Sequence, residues 1–202
     1  MKTADILLFD GVEVLDFAAP FEILTLAGTK LRPGSIAVRT VGVGTTIVCR
    51  NGLEVRPAAV FEPTHAPDWL IVPGGPGVEP LMAEKPWVIE AVASVGARAS
   101  FVMSIGSGAL LLAKAGLLRH KHASTHHSDI EALRQLEPSV RIEHGNRVVR
   151  DGNVISSDGI SAALDASLFL VATALDAELA QRTAEWAEYH SNAWLPDIPS
   201  ER

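Results

Sequence analysis

Short apolar runs alternate along the chain with longer segments of helical periodicity. Runs of strand length cover residues 4–9, 35–41, 69–72 and 100–104, and helical patterns cover 15–26, 88–95 and 107–118. Strands that alternate with helices indicate a parallel sheet with helices on both faces, because each helix carries the chain back to start the next strand in the same direction. The pattern therefore predicts an α/β protein.

Shorter strand patterns flanked by polar residues predict two hairpins. One joins residues 45–48 and 53–55 through a turn at Asn51-Gly52, and the other spans 147–156 with a turn at Asp151-Gly152. Helical patterns over 160–175 and 177–190 follow. The chain shows no internal repeat and no linker, so we expect a single domain over 1–202 in which 196–202 form a Pro-containing tail.

Composition and charge exclude several classes of function. The 202 residues are 48% hydrophobic with a formal net charge of -7, and an acidic chain without a long basic run is not expected to bind nucleic acid. No apolar run reaches membrane-spanning length, and the N-terminal run is too short for a signal peptide. Cys49 is the one cysteine, which rules out an internal disulfide and favours the cytoplasm. We expect a buried structural role for Cys49 and not a nucleophilic one.

The strand at 100–104 runs directly into an apolar helix through Ile105-Gly106-Ser107-Gly108. This turn resembles a nucleophile elbow, which lifts one side chain above the sheet while backbone N–H groups at the helix start face an anion. Gly106 stands at the apex and has no side chain. Ser107 offers its N–H and hydroxyl to an oxyanion, whereas Ser104 is expected to point into the strand packing. A serine-hydrolase site is disfavoured because no Gly-x-Ser-x-Gly frame is present.

Four further residues are candidates for the same edge of the sheet. Gly74 and Gly75 follow an apolar strand, and their backbone N–H groups either bind a ligand or form a plain turn. Asp16 opens the first helix, either as a helix cap or as a pocket carboxylate beside Gly106 whose pKa is raised by burial. Asp158 precedes a later helix, again as a cap or as a second carboxylate coupled to Asp16.

Four histidines crowd residues 120–127. A metal site is disfavoured because no cysteine joins them and because His120 and His122 alternate along a predicted strand, where they would share a solvated face. We place His126 near the pocket and expect neither a metal nor a cofactor.

Several motifs in a fixed order carry a family resemblance over nearly the whole chain. The chain is similar to the ThiJ/PfpI superfamily, which has the class I glutamine amidotransferase-like fold, and within it to the isonitrile hydratase branch and the sensor domains of AraC-type regulators. The motifs occupy residues 9–17 with Pro20, 72–75, 107–109, 115–118, 123–126 and 158–162 with Asp165.

This resemblance implies a flavodoxin-like three-layer sandwich, a homodimer, and a small-molecule site at the elbow. In the hydratase branch a cysteine at the apex attacks the isonitrile carbon, and a carboxylate matching Asp16 handles protons as water converts the adduct to an N-substituted formamide. The chain departs from this pattern at three positions. Gly106 replaces the cysteine, His127 stands where a tryptophan often follows the histidine, and Asp158 replaces a small residue.

Three hypotheses about function follow from the resemblance. In the first, the chain is an isonitrile hydratase-like enzyme in which Asp16, coupled to Asp158, activates water. General base catalysis alone accelerates a reaction by only ~10²–10⁴-fold. In the second, it is a non-catalytic sensor or pseudoenzyme that retains the N–H groups of Gly75 and Ser107 for a ligand. In the third, Gly106 is an engineered replacement of the cysteine of an active hydratase. Proteolysis and deglycation are disfavoured because both depend on that cysteine.

Overall fold

The computed structural model of the chain describes residues 1–143 and 145–195; the predicted tail, 196–202, lies outside the described residues. The described strands, numbered in chain order, are β1 Lys2–Leu8, β2 Ile36–Gly42, β3 Ile47–Val48, β4 Glu54–Val55, β5 Ala59–Val60, β6 Trp69–Val72, β7 Phe101–Ile105, β8 His122–Ala123, β9 Arg141–Ile142, β10 Val148–Asp151 and β11 Val154–Ser157. The described helices are α1 Val14–Thr25, α2 Val78–Glu84, α3 Pro86–Arg98, α4 Gly108–Lys114, α5 Ile130–Leu136, α6 Ala162–Ala174 and α7 Ala177–Trp186.

A seven-stranded sheet in the order β10-β11-β7-β6-β1-β2-β5 forms the centre of the molecule. Every pair of neighbours in it is parallel except β10 and β11. The seven helices of the described part of the chain flank this sheet in two groups. Helix α6 contacts both α1 and α7, and α2, α3, α4 and α5 form the second group. The predicted three-layer α/β sandwich is confirmed.

Strand β6 is apolar along its whole length, and β1 and β7 are largely apolar, because both faces of these central strands are covered. All four residues of β6 are buried, as are Ile6, Leu7 and Leu8 of β1. Parallel strands with both faces covered leave only their ends open to ligands. The carboxyl ends of β1, β6 and β7 meet at one edge of the sheet, which is where an open α/β sheet binds its ligands.

Several element boundaries differ from the predicted ones. Helix α4 ends at Lys114 and not at residue 118, because Gly116 adopts a left-handed φ of 74° that terminates the helix. Helix α1 ends at Thr25, and a π-helical segment, Leu26–Leu31, follows it. The sequence pattern did not predict α2, which has seven residues. Helix α7 ends at Trp186, four residues before the predicted end.

Both predicted hairpins are present. Strands β10 and β11 pair with Asp151 opposite Val154, so the turn lies at Gly152 and Asn153, one residue later than predicted. Strands β3 and β4 form a separate two-stranded sheet whose tip is a short 3-10 turn, Arg50–Gly52. Among the described residues, no helix has the length and apolar character needed to cross a membrane.

The predicted strand through His120 and His122 is wrong. Strand β8 contains only His122–Ala123, and His120 lies in the preceding turn with a φ of 59°. His122 bonds to Glu143 at 2.6 Å. The two histidines therefore do not share a strand face.

Candidate functional site

A cavity of about 450 Å³ lies at the carboxyl ends of β1, β6 and β7. We call it the elbow cavity. Five of the residues singled out from the sequence line it, namely Asp16, Gly75, Gly106, Ser107 and His126. The structure thus brings together residues that are up to 110 positions apart in the chain.

Gly106 forms the apex of the turn between β7 and α4. Its φ is 53°, and a Cβ atom built on it would lie 3.3 Å from Asp16 Oδ2 and 3.4 Å from Gly159 Cα. The Gly106 N–H donates to the Ser157 carbonyl at 2.9 Å, and the Thr125 hydroxyl donates to the Gly106 carbonyl at 3.0 Å. Any side chain at this position would therefore start from a fixed backbone and lie against the Asp16 carboxyl group.

Asp16 lies in the first turn of α1 and is only 2% exposed. Its Oδ1 accepts the Ile160 N–H at 2.7 Å, and its Oδ2 accepts the Gly74 N–H at 3.1 Å. The helix-cap interpretation is wrong, because both bonds go to other loops and the N-cap of α1 is Glu13, which makes no side-chain cap bond. Burial raises the pKa of Asp16 from 3.8 to about 6, although the hydrogen bonds from the Ile160 and Gly74 N–H groups lower it. The charge of Glu13 adds to the rise.

The backbone N–H groups of both glycines are already bonded within the protein. Gly74 donates to Asp16, and Gly75 donates to Ser107 Oγ at 2.8 Å. The same hydroxyl lies 3.4 Å from the Gly75 carbonyl, to which it donates. The Ser107 N–H has no acceptor within residues 1–143 and 145–195. Of the donors expected to bind an oxyanion, the Ser107 N–H alone is therefore open in this arrangement.

Asp158 lies outside the elbow cavity. It lines a second cavity of about 340 Å³, which shares His126, Gly159 and Ile160 with the first. Its Oδ1 accepts a hydrogen bond from the Ser124 hydroxyl. Both predictions for Asp158 are wrong. The N-cap of α6 is Ser161, and the charged neighbour that raises the pKa of Asp16 is Glu13 and not Asp158.

His126 lies on the rim of both cavities. Its Nδ1 is 2.7 Å from Ser128 Oγ, and its ring packs against that of His127 with centroids 4.1 Å apart and the ring planes tilted by 38°. In the described part of the chain, no group of three or more His, Cys, Asp or Glu side chains is placed to hold a metal ion.

Cys49 and Ser104 are buried packing residues, whereas Arg50 lines the elbow cavity although the sequence analysis did not single it out. Cys49 is buried, its pKa is raised by burial, and it does not line the elbow cavity. Ser104 is fully buried in β7. Arg50, at the tip of the β3-β4 hairpin, does line the cavity and bonds to Glu13 at 2.6 Å. Arg50 reaches the cavity because the β3-β4 hairpin packs beside it, and the sequence carries no signal for this packing.

Ile160 is a second cavity residue that sequence analysis missed as a site residue. It has a φ of 49°, which is rare for a β-branched residue, and its N–H holds Asp16. Its side chain is 43% exposed and lines both cavities. No local sequence signal predicts a left-handed isoleucine.

Comparison with known proteins decides the family. Residues 2–173 match the model of the DJ-1/PfpI family. The chain belongs to the DJ-1/PfpI family. An isonitrile hydratase from Pseudomonas putida is 34% identical over 185 residues, which cover 91% of this chain and 76% of the hydratase.

The chain is also similar to a transcriptional regulator and to a protein of known crystal structure. The Pseudomonas aeruginosa HTH-type transcriptional regulator CdhR is 28% identical over 180 residues, which cover 89% of this chain and 52% of the regulator. This DJ-1/PfpI chain thus spans about half the length of that regulator. A crystal structure of a ThiJ/PfpI family protein from Pseudomonas syringae superposes with a TM-score of 0.83 at 29% identity, covering 99% of this chain and 78% of that one.

Proposed function

We propose that this DJ-1/PfpI protein binds a small neutral molecule of the isonitrile or formamide class in the elbow cavity without forming a covalent bond to it. The observation that carries this proposal is Gly106, which removes the nucleophile from an otherwise assembled elbow. A cavity of about 450 Å³ is in the range of small-molecule sites. Asp16, buried beside the open apex, supplies a polar group for orienting the ligand.

The charges around the cavity support a neutral ligand over an anion. Glu13, Asp16, Glu79 and Asp129 line it, and Arg50 is paired with Glu13. A carboxylate ligand would meet like charges at short range, which is unfavourable in a partly desolvated site.

A second candidate function is hydration of an isonitrile without a cysteine. The observation that favours it is the pKa of Asp16, about 6, beside the space that Gly106 leaves. In this scheme protonated Asp16 donates its proton to the isonitrile carbon, and a water oxygen attacks that carbon. The carboxylate then takes a proton from the attacking water, and the N-substituted formamide forms after the second water proton reaches nitrogen. The net change adds one water to the isonitrile: Asp16 gives one proton to the carbon and recovers one from the attacking water, so it ends protonated as it began.

Parallel assays on the natural chain and two variants, Gly106→Cys and Asp16→Asn, separate these functions. We would incubate butyl isocyanide with the natural chain and with Gly106→Cys, quantify N-butylformamide by chromatography, and measure binding of N-butylformamide by calorimetry. Non-covalent binding predicts N-butylformamide binding to the natural chain and turnover only in Gly106→Cys. Cysteine-free hydration predicts turnover by the natural chain that is lost in Asp16→Asn. If the natural chain and Gly106→Cys show no binding and no turnover, both proposed functions are contradicted.

A matched control guards against reaction at the native thiol. Cys49→Ser, introduced into both proteins, removes the buried thiol while leaving the elbow cavity untouched. Turnover by Gly106→Cys must persist in this background if the new thiol is the nucleophile.

We also propose that the protein is a cytoplasmic homodimer that folds as one domain. Exposed apolar side chains support the dimer, since Val48 and Leu53 on the β3-β4 hairpin and Leu15 on α1 are all more than a third exposed. Size-exclusion chromatography with light scattering tests this proposal. Leu53→Glu should shift the mass toward one chain, and a monomeric natural protein would contradict it.

A further inference from the structure

The Ser107 hydroxyl occupies the backbone donor of Gly75, a residue that lines the elbow cavity. The Gly75 N–H donates to Ser107 Oγ at 2.8 Å, and both residues line the cavity. The hydroxyl also donates to the Gly75 carbonyl at 3.4 Å, so it bridges the two polar groups of one residue. Gly75 is thereby satisfied before any ligand arrives.

A ligand oxygen that reached the Gly75 N–H would have to displace this hydroxyl. The displacement breaks one hydrogen bond and makes one, so the net gain is small. A side chain without a hydroxyl would leave the same N–H to water, and a ligand carbonyl that replaced this water would bind about two- to tenfold more tightly.

The neighbouring backbone donors do not replace the Gly75 N–H that Ser107 occupies. The Gly74 N–H is bonded to Asp16 Oδ2 at 3.1 Å, so it is not open to a ligand. Helix α4, which Ser107 precedes, has only seven residues and provides no strong dipole of its own. The choice of residue at position 107 therefore decides whether the cavity presents one open backbone donor or two.

We propose that the Ser107 hydroxyl takes the place of a ligand oxygen at the Gly75 N–H. Ser107 is thereby the residue that limits the binding of carbonyl ligands in the elbow cavity. The consequence for affinity rests on the proposed function, whereas occupancy of the N–H does not. Ser107→Ala opens the donor, Ser107→Thr keeps a hydroxyl, and Ser161→Ala is a matched loss of a hydroxyl that lines only the second cavity.

The first arm of the test reads the Gly75 amide directly. In ¹⁵N-labelled protein, Ser107→Ala should speed hydrogen exchange at Gly75 by about fivefold, the equivalent of losing one hydrogen bond of about 1 kcal/mol. Adding formamide, which is small enough for any open cavity, should shift the Gly75 resonance in Ser107→Ala only. Exchange and shifts that match the natural chain in Ser107→Ala would overturn the proposal.

The second arm measures N-butylformamide affinity by calorimetry. Ser107→Ala should bind about fivefold more tightly than the natural chain, and Ser107→Thr and Ser161→Ala should stay within about twofold of it. Equal or weaker binding by Ser107→Ala would overturn the proposal. If no variant binds N-butylformamide while formamide still shifts Gly75 in Ser107→Ala, the proposed function fails and the role of Ser107 stands.

Discussion

Replacing Asp16 by asparagine should remove a pH dependence of stability that the buried carboxyl group creates. Burial raises its pKa from 3.8 to about 6, so folding favours the protonated form. The stability that this preference contributes is full below pH 3.8 and is lost as the pH rises through 6. The difference between the two pKa values corresponds to about 3 kcal/mol, of which about 2 kcal/mol is lost between pH 4 and pH 7.

Asparagine keeps the size of the side chain but stays neutral at every pH. Its single carbonyl oxygen can accept from Ile160 or from Gly74 but not from both, so Asp16→Asn also carries a constant penalty of about 1–3 kcal/mol. The pH dependence of the difference between the two proteins is therefore the diagnostic quantity, and its value at any single pH is not.

Urea titrations from pH 4 to pH 8 measure this difference. The free energy of unfolding of the natural chain minus that of Asp16→Asn should fall by about 2 kcal/mol over the range. Asp151→Asn is a control, because the His122 N–H lowers the pKa of Asp151 below 3.8, so its contribution is lost only at lower pH and the difference for this variant should stay nearly constant from pH 4 to pH 8. A difference for Asp16→Asn that stays constant with pH would refute the argument.

Two further predictions concern backbone strain and a buried charge. Ile160→Gly should be more stable than Ile160→Ala by about 1 kcal/mol in urea unfolding, because both remove the side chain and only glycine relieves the positive φ; equal stabilities would show that the backbone is unstrained. Arg39→Met should cost about 3 kcal/mol, since it removes the two hydrogen bonds, of 2.5 and 2.9 Å, that Arg39 donates to the Asp5 carboxylate, which is 1% exposed and then keeps only the His65 ring, 3.5 Å away, as an ion-pair neighbour among the described residues. Arg134→Met, which breaks an exposed pair with Glu131, should cost less than about 1 kcal/mol, and similar losses in the two variants would contradict the role of burial.

The elbow of this DJ-1/PfpI chain combines an assembled scaffold with an empty apex. The backbone at Gly106 is held by three hydrogen bonds, one from its N–H to Ser157 and two to its carbonyl from Thr125 and Ala109. Asp16 is held by two more. These contacts do not need a side chain at position 106. A site can therefore lose its nucleophile and still keep the geometry that positions the remaining polar groups, which makes ligand binding without turnover physically consistent.

The sequence by itself determined the fold class and the edge of the sheet where the site lies. Alternating apolar strands and helical patterns specify covered parallel strands, and strand-to-helix turns such as the one at Gly106 always come at the carboxyl edge. Asp16, Gly75 and Ser107 follow strands or open helices at this edge, which is why they could be named from the sequence. Local periodicity carries this information because burial on both faces imposes it residue by residue.

Only the tertiary structure decided which polar groups are partners. The bond from Ile160 to Asp16 spans 144 positions, and the bond from Gly75 to Ser107 spans 32. Asp158 is next to Gly159 in sequence, yet its side chain turns into a different cavity. Loop conformation sets these directions, and it depends on packing between segments distant in the chain. The burial that raises the pKa of Asp16, and the hydrogen bond that occupies the Gly75 donor, follow from contacts that no local pattern encodes.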